Sequence, residues 1–261
     1  MNVYIMADLE GISGIYCREQ VTPDQRRFGE AREFMTADIN ACAAGLKSAG
    51  AEKVYVRDAH GGSYTLLEDK VSDDVDYIVC GLTSPDRFPG LDDCGAVVLL
   101  GYHAMAGTAG AILEHSMSSA SIQNYHINGV KSGETGIDAG IVGERGLPVI
   151  MVSGDDKLCA EARSFIPGVY TAEVKKGVTC FGGILLPPAK ARRLIFETAA
   201  EAYRHASEIR PVVWDSPVVF RVEVTERTQL PNTYAKPYMR LIDGRTYEVT
   251  GDTMEEALFR S

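Results

Sequence analysis

Hydrophobic positions along the chain fall into two kinds of run. "NVYIMA", near the N-terminus, is almost continuously apolar, the pattern of a strand buried on both faces. "KVYVRDAHG", "DYIVC", "AVVLLGYH" and "LPVIMVSGDD" repeat that pattern further on. Between the first two runs, Met35, Ile39, Cys42 and Leu46 recur at helical spacing, which predicts a helix from about Thr22 to Ala49. Thr22-Pro23-Asp24-Gln25 has the form of a capping box with proline at the first helical position, and Gly50 supplies the stop. Strands alternating with helices imply right-handed crossovers and a mostly parallel sheet.

The pattern changes from the middle of the chain onward. "YHINGVKSGE" places Asn128-Gly129 between short apolar segments, a type I′ hairpin signal, and is followed by an apparent helix, "TGIDAGIVGE". Residues 187–209 read as a long helix, after which "PVVFRVEVT" alternates as a half-buried antiparallel strand does, with "TYEVTGD" as another. The expected fold is therefore α/β: a mostly parallel, doubly wound sheet in the N-terminal part and a smaller α+β C-terminal part. We place the division at 1–170 and 171–261, with the change of character spread over residues 160 to 185 and no obvious linker, repeat or low-complexity segment.

Composition narrows the function classes. The chain has 261 residues, 45% hydrophobic and 24% charged, enough for one large domain or two modest ones. Its 26 basic and 36 acidic residues give a net charge of −10, which argues against nucleic acid or an anionic membrane as main partner. The six cysteines form no C-x-x-C pair, so reduced thiols in a cytoplasmic protein are expected. Met1 leads directly into a strand pattern without a basic or signal-like apolar run, so secretion is not expected. The uncharged stretch from Cys94 to Leu113 contains Tyr102, His103, Thr108 and four glycines, and reads as strand plus loop rather than a membrane span.

Chemistry-bearing residues collect at strand ends. Ligands in open α/β sheets bind outside the carboxyl ends of the strands. Asp8 and Glu10 end the first strand, Asp58 and His60 the second, His103 ends "AVVLLGY", and Glu134 lies just past the hairpin. If the chain stays extended through Leu9, the carboxylates of Asp8 and Glu10 converge on one face, where two anions repel unless a proton or a cation lies between them. Mixed imidazole and carboxylate ligation suits zinc, with manganese or cobalt as alternatives.

Each piece also has a plainer reading. An isolated D-x-E most often serves a turn or cap. Glu134 suits a helix N-terminus, His60 a turn with Asp58 capping it, and His103 a satisfied core position. His115 in "LEHSMSS" follows the small-residue loop "AMAGTAGAI"; it suits a general base or proton shuttle beside a metal-bound water, or equally a surface histidine. His126 in the hairpin strand and His205 on a charged helix read as structural or solvated.

Taken together, "MADLEGISG", "VRDAHGG", "GYHAMAGT", "LEHSMSS", "NGVKSGETGID" and "VSGDD" resemble, in order and spacing, the motifs of the D-aminopeptidases, a family of dinuclear zinc peptidases. The resemblance spans roughly residues 2 to 175 and is looser beyond. It implies two zinc ions per chain bridged by Asp8, with Glu10 and His60 completing one site and His103 and Glu134 the other. It also implies that His115 is the catalytic histidine, as nucleophile or base. Release of N-terminal residues from short peptides, often of D-amino acids such as D-Ala-D-Ala, is the implied activity, carried out in the cytoplasm by a homo-oligomer, a decamer in the best-known member.

Two other readings stand beside this one. A two-metal phosphodiesterase or exonuclease would share the early D-x-E but calls for further aspartates and a basic groove. A non-catalytic metal-binding assembly protein would keep the fold with a closed four-ligand site.

Overall fold

The structure, a computed structural model, describes residues 1–62, 64–80, 84 and 86–261. The continuous apolar runs form parallel strands: β1 (Val3–Ala7), β2 (Val54–Asp58), β3 (Val75–Ile78), β4 (Ala96–Leu100) and β7 (Val149–Asp155). β1, β4 and β7 are buried at every position, as expected of strands covered on both faces. β8 (Tyr170–Thr179) adds a further parallel strand, and β9 (Gly182–Leu185) closes the edge antiparallel to it. The order is β3-β2-β1-β4-β7-β8-β9. The chain lays β2 and β3 to one side of β1, then returns to place β4 on the other, so the topological switch point lies between β1 and β4.

A second, antiparallel sheet has the order β11-β12-β10-β5-β6. It is built from β5 (Ile122–Ile127), β6 (Val130–Ser132), β10 (Val218–Val224), β11 (Met239–Leu241) and β12 (Thr246–Gly251). β5 and β6 form the expected hairpin, with Asn128 and Gly129 at φ 50° and 84°, the left-handed pair a type I′ turn requires. β10 alternates between buried and accessible positions, as its sequence pattern indicates. The two sheets interleave across residue 170: β8 and β9 extend the first, while β5 and β6 join the C-terminal strands.

The helices are α1 (Arg18–Val21), α2 (Phe28–Ser48), α3 (Glu134–Glu144), α4 (Asp156–Phe165), α5 (Pro188–Arg204) and α6 (Met254–Arg260). α2 packs on α5 and on the first sheet, whereas α3 and α6 join that sheet to the second. The long N-terminal helix starts later than its sequence suggests. Residues 22–27 form turns in which Asp24 takes φ 66° and the Gln25 amide donates to the Thr22 carbonyl, a geometry that cannot begin an α-helix. The short α1 precedes them instead, with the Gln20 side chain accepting from the Tyr16 and Cys17 amides at 2.9 and 3.3 Å. All six cysteines are free thiols. Among the described residues no helix is long and apolar enough to cross a membrane.

Candidate metal centre

The loops after β1 and β4 meet at the switch point because two glycines let their backbones touch. A Cβ on Gly11 would sit 1.8 Å from the Tyr102 carbonyl oxygen. Gly101 has φ 71°, and a Cβ there would lie 2.4 Å from the Asp8 carbonyl oxygen. The Asp8 amide donates to the Leu100 carbonyl at 2.8 Å and the Gly11 amide to the Gly101 carbonyl at 2.7 Å. This contact brings Asp8 and Glu10 from one loop beside His103 from the other.

His60 arrives from the loop after β2, which Asp58 shapes by accepting the His60 amide at 3.0 Å and the Thr65 amide at 2.6 Å. Glu134 opens α3, and His115 comes from the long segment between β4 and β5. Asp8, Glu10, His103 and Glu134 are all buried. His103 Nε2 lies 3.3 Å from Asp8 Oδ2 and 3.2 Å from Glu134 Oε1, and His60 Nε2 lies 3.6 Å from Glu10 Oε1. The imidazoles of His103 and His115 stack, with centroids 3.9 Å apart and planes 9° apart.

Two subsets bring ligand atoms within 4.8 Å of one another: Asp8, Glu10 and His103, and His103, His115 and Glu134. Asp8, Glu10 and Glu134 thus converge with His103 and His115, and half-buried His60 joins them through Glu10. Asp58 sits behind His60 as a loop support, whereas His126 lies in β5 and His205, half-buried at the end of α5, pairs with Glu201 and Glu208 at 3.3 and 2.8 Å. Neither of those histidines reaches the cluster.

Electrostatics shows how strained the cluster is with its own charges alone. Burial opposes ionisation of Glu10, but the adjacent His60, with His103 and His115 beyond it, holds its carboxyl well below the usual range. Glu134 is likewise held low, His103 overcoming the effect of burial. Burial disfavours a proton on His60, yet Glu10 beside it pushes its pKa up to about 9; burial opposes the proton on His103 too, and Glu134 and Asp8 outweigh it to raise that imidazole well above its ordinary value. The carboxylates draw positive charge onto the imidazoles, and a divalent cation meets the same demand.

The donor set fits zinc. His103 Nδ1 lies 3.1 Å from the Ala104 carbonyl and His115 Nδ1 2.9 Å from that of Leu113, contacts that place the proton on Nδ1 and leave Nε2 as the lone-pair atom. His103 Nε2 and Glu10 Oε2 are nevertheless buried without a hydrogen-bond partner. Ligands held about 2.0–2.2 Å from one tetrahedral ion stand about 3.3–3.6 Å apart, close to the nitrogen-to-oxygen separations found here.

One positioning residue has no local sequence signal. Lys175 on β8 is fully buried, and its ammonium donates to the carbonyls of Glu10, Ile12 and Ile15 at 2.5, 3.0 and 2.8 Å. It therefore clamps the loop that carries Glu10, although burial pushes its pKa down to about 8. Behind Glu134, Asp138 accepts both arms of the Arg87 guanidinium at 2.9 Å and the Tyr102 hydroxyl at 2.6 Å, which locks α3 against the β4 loop.

Comparison with known proteins places the chain in a family. A family model described as D-aminopeptidase, peptidase family M55, matches residues 1–260. A D-aminopeptidase of Bacillus subtilis strain 168 is 32% identical over 247 residues, covering 94% of this chain and 89% of that protein. A solved structure, described as a Zn-dependent D-aminopeptidase DppA from Bacillus subtilis, a self-compartmentalizing protease, superposes with a TM-score of 0.93 at 32% identity. It covers 98% of this chain and 94% of the other.

Proposed function

We propose, from the premise that this chain belongs to the D-aminopeptidase family, that it is a zinc-dependent aminopeptidase removing the N-terminal residue of short peptides, D-Ala-D-Ala among them. The observation that carries this reading is the convergence of His103 Nε2, a buried atom without a hydrogen-bond partner, on the carboxylate oxygens of Asp8 and Glu134, with Glu10 Oε2 beside them also lacking a hydrogen bond. Two zinc ions would be held there, one by Glu10 and His60 and the other by His103 and Glu134, with Asp8 contributing to both. When bound, the zinc pair would supply Lewis acidity, polarising the scissile carbonyl and acidifying the attacking water.

The protein's own groups do the rest. A cleft of about 250 Å³ opens in front of Glu10 and His115 and admits the peptide. His115, its Nδ1 proton directed at the Leu113 carbonyl, presents Nε2 to take the proton of the attacking water and return it to the departing amine. Lys175 keeps the Glu10 loop from moving as charge develops. A phosphodiesterase reading calls for a basic groove, whereas among the described residues Arg18 is the single lysine or arginine lining the cleft, against Glu10 and Glu114. In keeping with the relative described as self-compartmentalizing, we assign the chain to a cytoplasmic homo-oligomer, a decamer.

The test is release of alanine from D-Ala-D-Ala and from L-Ala-L-Ala, before and after treatment with a chelator and after zinc is restored. Cleavage of the D-dipeptide that the chelator abolishes and zinc restores is expected. Cleavage that survives complete metal removal, or no cleavage of either dipeptide by the zinc-loaded protein, contradicts the reading.

A further inference from the structure

The cleft has a second feature that the metal chemistry does not use. Its volume of about 250 Å³ falls just below the ~300–1,000 Å³ of sites that enclose drug-sized ligands, so it holds two or three small residues and little more. The free carboxylate of so short a peptide then lies in the cleft beside the carboxylates of Glu10 and Glu114. An anion among like charges is favoured by a nearby cation. Arg18 is the single lysine or arginine among the described residues lining that space.

Arg18 is free for the task. Among the described residues its guanidinium has no ion pair or hydrogen bond, and only its backbone carbonyl is engaged, by the Thr22 hydroxyl at 2.9 Å. Arg27, by contrast, is committed to Glu30 and Tyr16. The backbone under Arg18 is also held in place. Gln20 ties α1 to the Tyr16 and Cys17 amides and to the Gly14 carbonyl, and the Ile15 carbonyl is held by Lys175. The same buried lysine thus fixes Glu10 at one wall of the cleft and the root of α1 at another. A guanidinium on a fixed base offers a carboxylate two parallel N–H donors.

We infer that Arg18 is a specificity-determining residue that holds the free C-terminal carboxylate of the substrate, which makes unblocked di- and tripeptides the substrate class. This inference rests on the aminopeptidase reading and deepens it. Longer or C-terminally blocked peptides lose the contact, so discrimination is exercised at the end of the substrate remote from the bond cut.

The experiment compares a free dipeptide with its C-terminal amide on the zinc-loaded wild type, Arg18→Ala and Arg18→Lys, by steady-state kinetics and by calorimetric titration of the same two ligands. The wild type is expected to bind the free dipeptide about tenfold tighter than the amide, the size of a charge-assisted hydrogen-bonded contact. Arg18→Ala should bring the ratio of the two KM values close to one, chiefly by raising KM for the free dipeptide, and Arg18→Lys should fall between. A merely structural role for Arg18 moves both ligands equally, and that result overturns the inference, as does a wild type indifferent to amidation. If the wild type binds both ligands and cleaves neither, the aminopeptidase reading fails, while the ratio of the two dissociation constants still decides on Arg18.

Discussion

Asp8→Ala is expected to lose both zinc ions and to cut dipeptide turnover by about a thousandfold or more. Removing a group that merely orients a ligand costs metal affinity ~10–100-fold, and a shared ligand sits a shell closer. Asp8 stands at the centre of the cluster, with Oδ2 3.3 Å from His103 and Oδ1 accepting the Leu9 amide at 2.8 Å. Its loss breaks both halves at once. The fold should survive, because deletion of one of three crowded carboxylates relieves repulsion and the surrounding backbone keeps its contacts to Leu100 and Gly101. Elemental analysis, circular dichroism and turnover read the three outcomes, and Asp8→Asn serves as the variant of equal volume. A folded Asp8→Ala protein that keeps two zinc ions would remove Asp8 from the bridge.

His115→Ala should behave in the opposite manner, keeping its zinc while turnover falls by about 10²–10⁴, the range contributed by a positioned general base. The stacking of His115 on His103 makes this variant informative. His115 also stands within ligand distance of His103 and Glu134. If His115→Ala loses one zinc ion along with activity, His115 is a ligand rather than the proton carrier. If zinc content and rate both stay at wild-type levels, it belongs to neither role.

Much of this site is legible in the chain. The buried strands announce themselves as continuous apolar runs, and their carboxyl ends carry Asp8, Glu10, His60 and His103 in plain view. Glu134 follows from the hairpin that ends just before it. The structure brings these residues and His115 together, as the strand-end rule leads one to expect. What sequence does not reveal is long-range. Lys175 acts on Glu10 across 165 residues, and nothing around "EVKKGV" distinguishes it from a solvated lysine. The recruitment of β5 and β6 into a sheet with β10 to β12 is likewise a pairing across some ninety residues, visible only once the chain has closed. The start of α2 eludes the pattern for a local reason. Thr22-Pro23-Asp24-Gln25 satisfies the composition of a capping box, but Asp24 adopts a left-handed backbone and spends the segment on a turn.

Catalysis as proposed requires the dinuclear centre. Anomalous scattering measured on crystals of the zinc-loaded protein, above and below the zinc edge, tests it most directly. The predicted result is two peaks per chain, one between Glu10 and His60 and one between His103 and Glu134, with Asp8 reaching both. A single peak, or zinc bound away from these five residues, would contradict it.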